Sequence, residues 1–309
     1  MNRAAQLKAL GYWCKLNGLL GTDRVGETAL KRFVKPPPPN IRPKQNAFLD
    51  EARQTSLTFE GMQVALYEWG DPDAPYVFSA YGWAYNAGRW RHFAPALVEA
   101  GYRFVAFDYQ GHGRSEYAEC DYPTMVRLLK QVLQQFGQPA LLLAHSFGAG
   151  LSMGLLSEVE QRLHPKRLAL LAGFSDVEYI FRQFAGALGF SESQYQSLAK
   201  AVERRTGGKI EEYDPALKSL AFGHIQALIA HDPADEVTAF SNAIRLAEHF
   251  PNSYLYKAKG GGHGFTEKTT SQAVVNWLVE AEVPATAKRL EPKMSPAHSA
   301  QVVDSDYFR

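Results

Sequence analysis

Residue types that together perform nucleophilic catalysis stand at the ends of apolar runs in this sequence. The stretch LLLAHSFGAG (141–150) passes from apolar into small residues, with Ser146 at the junction. A serine hydroxyl is a weak nucleophile, so it needs a neighbouring base and a carboxylate that orients this base. His263, in KGGGHGF, and two aspartates of AHDPADEV, Asp232 and Asp235, follow other apolar runs. The residues predict a serine nucleophile and leave open which aspartate serves it.

The elements that must position these residues alternate along the chain. Short apolar runs (YVFSA, YRFVAFD, ALLLAH, RLALLAG, IQALIAHD, SYLYKA) are mostly separated by segments of helical period, and SLTFE with MQVALYEW indicates a hairpin joined at Gly61. Continuous apolar strands that alternate with helices are typical of a mostly parallel central sheet with helices on both faces. In such α/β sheets, ligands bind beyond the carboxyl ends of the strands, where Ser146 lies.

Several motifs resemble the α/β-hydrolase superfamily. The segment A-H-S-F-G is similar to the G-x-S-x-G nucleophile elbow, with Ala144 in place of the first glycine. FDYQGHGRS (107–115) is similar to the superfamily's D-x-x-G-x-G-x-S segment, and the order serine, acid, histidine is also the same. The chain is therefore identified as a serine esterase-like member of this superfamily from about residue 56 to 282.

The resemblance implies a role for each member of a catalytic triad. The register of H-D-P-A-D against the superfamily's H-G-x-x-D places the acid at Asp235 and leaves Asp232 as a turn former. His263 is then the base, in a glycine-rich loop whose flexibility lets the imidazole reach Ser146. The remaining candidates are interpreted as loop or structural histidines: His112, His145 and His231.

The resemblance also implies an oxyanion hole. One donor is the backbone N–H of Phe147, at the start of a helix, and the other is the N–H of Trp83. The superfamily usually has His-Gly before the second donor, whereas this chain has Tyr81 and Gly82.

About fifty residues rich in aromatics lie between the strands near 170 and 228. This length predicts a small helical lid at about 174–220. The alternative is an ordinary crossover connection whose helices carry extra aromatic side chains. We expect Tyr81, Phe181 and Phe184 to line a substrate pocket.

The ends of the chain differ in composition from this central region. Residues 1–44 are predicted to form an N-terminal extension with a stiff proline-rich linker, and 45–283 the α/β-hydrolase domain. Residues 284–309 are predicted to form a loosely held polar tail.

The overall composition indicates which kinds of partner and which cellular compartment to expect. The chain has 33 Lys and Arg against 32 Asp and Glu, a balance that gives no reason to expect a nucleic-acid or anionic-membrane partner. Its two cysteines, Cys14 and Cys120, cannot build a disulfide framework or a zinc site, so we expect a reducing compartment. At the N-terminus, Lys8 and Lys15 interrupt any apolar run, so the stretch does not fit a signal peptide and is too short for a membrane span. This favours a cytoplasmic protein. The oligomeric state is not indicated.

These residues predict a serine hydrolase that cleaves a small apolar carboxylic ester through an acyl-enzyme, with no metal or organic cofactor. The same triad supports acyl transfer, thioester or lactone cleavage, and carbon–carbon bond hydrolysis. A ligand-binding homologue without catalysis is the non-enzymatic alternative.

Overall fold

A computed structural model describes residues 3–18, 21 and 23–291 of the chain. Its centre is an eight-stranded sheet in the order β1-β2-β4-β3-β5-β6-β7-β8. The strands are β1 (Arg53–Phe59), β2 (Met62–Trp69), β3 (Tyr76–Ala80), β4 (Arg103–Phe107), β5 (Leu141–His145), β6 (Arg167–Leu171), β7 (Gln226–His231) and β8 (Ser253–Lys257).

Only β2 runs antiparallel to its neighbours, β1 and β4, and the remaining pairs are parallel. Every residue of β3, β5 and β6 is buried, so both faces of the sheet are covered. The described helices are α1 (Arg3–Gly18), α2 (Asp23–Phe33), α3 (Pro43–Asp50), α4 (Ala94–Glu99), α5 (Tyr122–Phe136), α6 (Phe147–Glu158), α7 (Val177–Ala187), α8 (Glu192–Thr206), α9 (Pro215–Ser219), α10 (Phe240–His249) and α11 (Lys268–Glu280). The predicted fold class, a mostly parallel α/β sheet covered by helices, is confirmed.

The sheet brings the predicted chemical residues to one edge. Ser146 follows β5, Asp235 follows β7, His263 follows β8 and Trp83 follows β3. Because β3, β5, β7 and β8 are parallel, these four residues all leave the sheet at its carboxyl-terminal edge.

A helical insertion, α7 to α9, separates β6 from β7 in the region where the sequence predicts a lid. The N-terminal helices pack on this insertion. A side chain at Gly26 in α2 would collide with the backbone of Ser197 in α8, and the Gly26 N–H donates to Ser197 Oγ at 3.0 Å. Gly11 in α1 lies equally close to the Leu188 carbonyl.

Residues 1–44 are therefore more than a linker within the part that is described. Val25, Ala29 and Leu30 of α2 are buried in the main core, a spacing of four and five residues that the sequence analysis did not use. The prolines that follow lie outside helices and strands, and buried Pro36 packs against Gly111.

The segment after α11 is attached to β8. Lys288 exchanges two backbone hydrogen bonds with Leu255, of 2.8 and 2.9 Å, and the guanidinium of Arg289 lies 4.7 Å from the ring centroid of Tyr254. Residues 284–291 of the predicted tail thus include anchored residues, and 292–309 lie outside the described residues. Within the described ranges, none of the helices has the length and apolar character needed to cross a bilayer.

Candidate active site

Ser146 occupies a strained turn between β5 and α6. Its φ of 52° and ψ of −121° lie in a region that residues with a side chain rarely adopt. The turn is tight because a side chain at Gly148 would collide with the backbone carbonyl of Ala80 in β3. The Ser146 N–H donates to the Leu171 carbonyl at 2.8 Å, which fixes the turn to the neighbouring strand β6. The geometry is that of the nucleophile elbow that the sequence resembles.

The structure brings Ser146, His263 and Asp235 into one hydrogen-bonded chain. His263 Nε2 lies 3.0 Å from Ser146 Oγ, and His263 Nδ1 lies 2.8 Å from Asp235 Oδ2. A carboxylate only accepts, so the Nδ1 hydrogen points at Asp235 and the lone pair of Nε2 faces the serine hydroxyl. This tautomer is the one in which histidine can take the serine proton.

Asp235 is held in its ionised form. Burial alone would raise the pKa of this carboxyl, but hydrogen bonds from His231, His263 and the Thr238 N–H hold it well below its ordinary range. The N–H groups of Val237 and Thr238 donate to Oδ1 at 2.8 and 3.0 Å, and His231 Nε2 lies 3.3 Å from Oδ2. A permanent negative charge therefore faces His263.

Three hydrogen bonds from three parts of the fold hold the loop that carries His263. The Gly262 N–H donates to Asp232 Oδ2 at 2.7 Å, and Arg89 Nη2 donates to the Gly264 carbonyl at 2.9 Å. Between them, His145 Nε2 lies 2.7 Å from the His263 carbonyl oxygen. Three backbone groups of this loop are therefore tied to other parts of the fold.

These contacts give Asp232, His145 and Arg89 positioning roles that the sequence analysis did not find. The His145 Nε2 must carry the hydrogen, because its partner is a carbonyl oxygen. Burial, together with the charges of Arg89 and His263, holds the pKa of His145 well below its ordinary value and keeps the ring neutral. Burial likewise lowers the pKa of Arg89 to about 9. No local pattern could have revealed contacts between residues 118 and 175 positions apart in the chain.

Two backbone N–H groups stand beside the serine. Phe147 is the first residue of α6, so its N–H has no acceptor within the helix. Gly82 packs against the serine so tightly that a side chain there would lie 2.7 Å from Ser146 Cβ, which places the following residue, Trp83, at the nucleophile. In the part of the chain that the structure describes, neither N–H donates a hydrogen bond. Both are the donors expected for an oxyanion hole.

Tyr81 supports this loop from below and is not a pocket residue, which corrects the sequence-based expectation. It is buried, its hydroxyl donates to Asp108 Oδ1 at 3.0 Å, and the same oxygen accepts the Tyr109 N–H at 2.9 Å. Asp108 is itself buried and also accepts hydrogen bonds from the Ala87 N–H, the Arg114 N–H and the Tyr67 hydroxyl. The tyrosine thus positions this loop, at the place where the superfamily that the sequence resembles usually has histidine.

His112 fixes the far side of the same loop. Its Nδ1 lies 2.9 Å from the Gln110 carbonyl, so Nδ1 carries the hydrogen and Nε2 is left to accept the Ala84 N–H at 3.1 Å. Ala84 has a φ of 62°, and this hydrogen bond helps to hold that strained residue next to Trp83. Burial lowers the pKa of His112 to about 4, which keeps the accepting nitrogen free near neutral pH.

An apolar cavity of about 30 Å³ opens beside Trp83 and Phe147. Phe181 of the insertion lines it, whereas Phe184 does not and contacts Phe33, with ring centroids 5.0 Å apart. Helix α2 contributes a wall that was not expected, and Phe33 stacks on Trp83 with ring centroids 6.2 Å apart. The walls from the N-terminal region are Leu30, Phe33 and Val34.

Several known proteins match part of this sequence. A sequence profile of the alpha/beta hydrolase fold matches residues 77–207. Epoxide hydrolase A of Mycobacterium tuberculosis (strain ATCC 25618 / H37Rv) is 32% identical over 120 residues, which are 37% of this chain and 36% of that protein. A bifunctional esterase/perhydrolase of Acinetobacter calcoaceticus is 31% identical over 96 residues, 30% of this chain and 35% of that protein. The matches span about a third of the length of these curated relatives.

Solved structures show the same fold at low sequence identity. The esterase of Exiguobacterium antarcticum is 19% identical in sequence and superposes with a TM-score of 0.57. The superposition covers 72% of this chain and 98% of that structure. Together with the sheet order and the sequence profile over residues 77–207, this shows that the chain has the α/β-hydrolase fold.

The two aspartates should differ sharply under substitution. In Asp235→Asn an amide replaces the acceptor of the His263 Nδ1 hydrogen, which favours the wrong tautomer, so ester turnover should fall by about 10³-fold or more. Asp232→Asn keeps an oxygen for the Gly262 N–H and should lose less than about tenfold. Steady-state kinetics of both variants, with circular dichroism as the check on folding, measure the difference. An equal loss in the two variants would contradict the assignment of Asp235.

The titration of His112 should make the protein less stable in acid. Unfolded histidine titrates near 6.5 and His112 at about 4 in the folded protein, so the unfolded state binds more protons between these values. Stability contributed by the neutral ring is therefore lost as the pH falls through this window, by about 2 kcal/mol from pH 7 to 5.

The matched variant is His112→Gln, whose amide oxygen can still accept a hydrogen bond but does not titrate. Urea unfolding at pH 7 and pH 5 should show a smaller drop in this variant than in the wild type. Other buried histidines contribute to both proteins alike, so an identical drop in the two would show that His112 is not the titrating group.

Proposed function

We propose that this protein is a serine hydrolase that cleaves a carboxylic ester with an apolar acyl or alcohol group. The observation that carries the proposal is the hydrogen-bonded chain from Ser146 through His263 to the ionised Asp235. The unpaired N–H groups of Phe147 and Trp83 beside the serine support it, because acyl transfer needs donors for a developing oxyanion.

The steps follow from this geometry. His263 Nε2 takes the proton of Ser146 as Oγ attacks the ester carbonyl, and the negative charge on the carbonyl oxygen is met by the two backbone donors. The imidazolium, stabilised by Asp235, returns the proton to the leaving alcohol and an acyl-serine remains. Water then loses a proton to His263, attacks the acyl carbon, and releases the carboxylic acid as Oγ regains its proton.

A serine at the elbow favours acyl chemistry over ring opening of an epoxide. Attack of Ser146 Oγ on an epoxide carbon would form an ether, which water cannot cleave in a second step at this site. Attack on an ester forms another ester, which the same base can hydrolyse. The epoxide hydrolase relative is therefore a guide to the fold and not to the substrate.

The walls of the cavity indicate the kind of substrate. They are mainly apolar and aromatic, which suits an apolar acyl or alcohol group. Helices α7 and α8 of the insertion and helix α2 supply walls of this cavity, so movement of these helices away from Trp83 would control the entry of an ester. This is the role of a lid, and it is part of the proposal.

Substitution of the nucleophile tests the mechanism directly. Ser146→Ala should lower the turnover of p-nitrophenyl esters by about 10⁴-fold or more while the protein stays folded. A fluorophosphonate probe, which reacts only with an activated serine, should label the wild type and not the variant. The proposal would be contradicted if the wild-type protein neither reacted with the probe nor hydrolysed any of the p-nitrophenyl esters.

Phe33 should control the length of the acyl chain. Phe33→Ala removes a ring that stacks on Trp83 and contacts Phe181, so the ratio of kcat/KM for octanoate to acetate esters should rise by about tenfold. The matched control is Phe190→Ala, which truncates a half-buried aromatic of the insertion outside the cavity and should leave the ratio unchanged. If both variants shift the ratio alike, α2 does not form part of the substrate site.

A further inference from the structure

Positive charge is concentrated at one end of this nearly neutral chain. Residues 1–44 carry nine lysines and arginines against two acidic residues, which leaves 24 against 30 for the rest of the chain. The nearly zero net charge of the whole chain is therefore the sum of a strongly basic N-terminal segment and an acidic remainder. Such a segment creates a local positive field that attracts anionic surfaces.

The outer side of α1 exposes large apolar side chains. Tyr12, Trp13 and Leu16 are 71%, 56% and 62% exposed, and their spacing places them on one side of the helix. The opposite side of α1 packs on the protein through Gly11 and Cys14, both buried. Both sides of this helix are therefore apolar, and only one of them has a partner in the described structure.

A groove of about 550 Å³ lies between α1 and α2, next to these side chains. Its floor includes Leu10 and Trp13, and a single acidic residue, Glu27, lies among its walls. The cations that line it are Arg24, Lys31, Arg32 and Lys35. Exposed aromatic rings beside a cationic groove match the two layers of a lipid surface, apolar chains and anionic headgroups.

We infer that this N-terminal face, formed by the exposed side chains of α1 and the cationic groove, docks the protein on the surface of an anionic phospholipid bilayer. The apolar side chains enter the boundary between headgroups and acyl chains, and the groove takes up phosphate groups. An anionic bilayer is favoured over a protein partner because Tyr12, Trp13 and Leu16 are exposed beside the cations of the groove. Exposed aromatic side chains next to lysines and arginines are typical of segments that bind an anionic membrane surface.

The position of this face relates it to the cavity. Helix α2 carries Lys31 and Arg32 on its outer side and Leu30 and Phe33 on its inner side, toward Trp83. Docking of the outer side would thus place the cavity wall against the lipid surface. This link to a substrate drawn from the bilayer rests on the proposed function, whereas the docking itself does not.

Vesicle flotation of the full-length protein, tagged at its C-terminus, tests the docking. We expect binding to vesicles of phosphatidylcholine with 30% phosphatidylglycerol, at least tenfold weaker binding to phosphatidylcholine alone, and a loss of binding as NaCl rises. Binding should fall by about tenfold or more in Lys31→Gln/Arg32→Gln, and likewise in Trp13→Ser/Leu16→Ser.

Matched controls remove the same groups elsewhere. Arg162→Gln/Lys166→Gln deletes two exposed charges at the amino end of β6, and Val283→Ser deletes an exposed apolar side chain after α11. Both should bind as the wild type does. Equal losses in control and test variants would overturn the assignment to the N-terminal face.

Further outcomes separate this inference from its rivals and from the proposed function. Failure of the wild type to bind any vesicle would overturn it, and so would a dimer that Trp13→Ser/Leu16→Ser converts to a monomer without any vesicle binding. The Ser146→Ala variant should bind vesicles as well as the wild type. Vesicle binding without ester turnover would support the docking and contradict the proposed function. Turnover of soluble esters without vesicle binding would support the proposed function and contradict the docking.

Discussion

The left-handed backbone of Ser146 is the constraint on which the rest of the site depends. A residue with a side chain in such a conformation costs about 1–3 kcal/mol, which the surrounding structure must offset. The offset comes from close packing, since Gly148 touches the backbone of β3 and Gly82 touches Ser146 itself. Strands β3 and β5 and helix α6 therefore have little freedom to move relative to one another, and the serine hydroxyl stays at the edge of the sheet.

Buried carboxylates then hold each loop around the serine. Asp108 accepts hydrogen bonds from Tyr81 and from backbone N–H groups, and so fixes the loop that carries Trp83. Asp232 and Asp235 fix the loop and the ring of His263 in the same way. Each carboxylate is charged or strongly hydrogen-bonded, and each loses solvation on burial, so these contacts specify loop positions more than they add net stability.

The sequence predicted the sheet and its carboxyl-terminal edge because these depend on local patterns. Apolar runs such as ALLLAH show a buried strand directly, and small residues around Ser146 show a tight turn. In the structure Asp235 contacts His263 and Asp232 accepts the N–H of Gly262, a division that only the resemblance of H-D-P-A-D to the superfamily's H-G-x-x-D had indicated, since both aspartates follow the same apolar run.

The positions of Tyr81, His145 and Arg89 could not be predicted in the same way. Each acts through a partner distant in the sequence, and its environment exists only after the strands have assembled. Helix α2 was missed for a different reason. Its apolar residues have helical spacing, but the proline run that follows drew the interpretation toward a linker.

The contact between Gly26 and Ser197 has a consequence for the making of the chain. These residues are 171 positions apart, and chains grow at roughly 5–20 residues per second, so α2 leaves the ribosome about 10–30 s before its partner α8 exists. During that interval Val25, Ala29 and Leu30 lack the insertion on which α2 packs. Helices α1 and α2, although synthesised before the sheet, are thus among the last elements to dock, and the wall of the cavity is completed only when the insertion has folded.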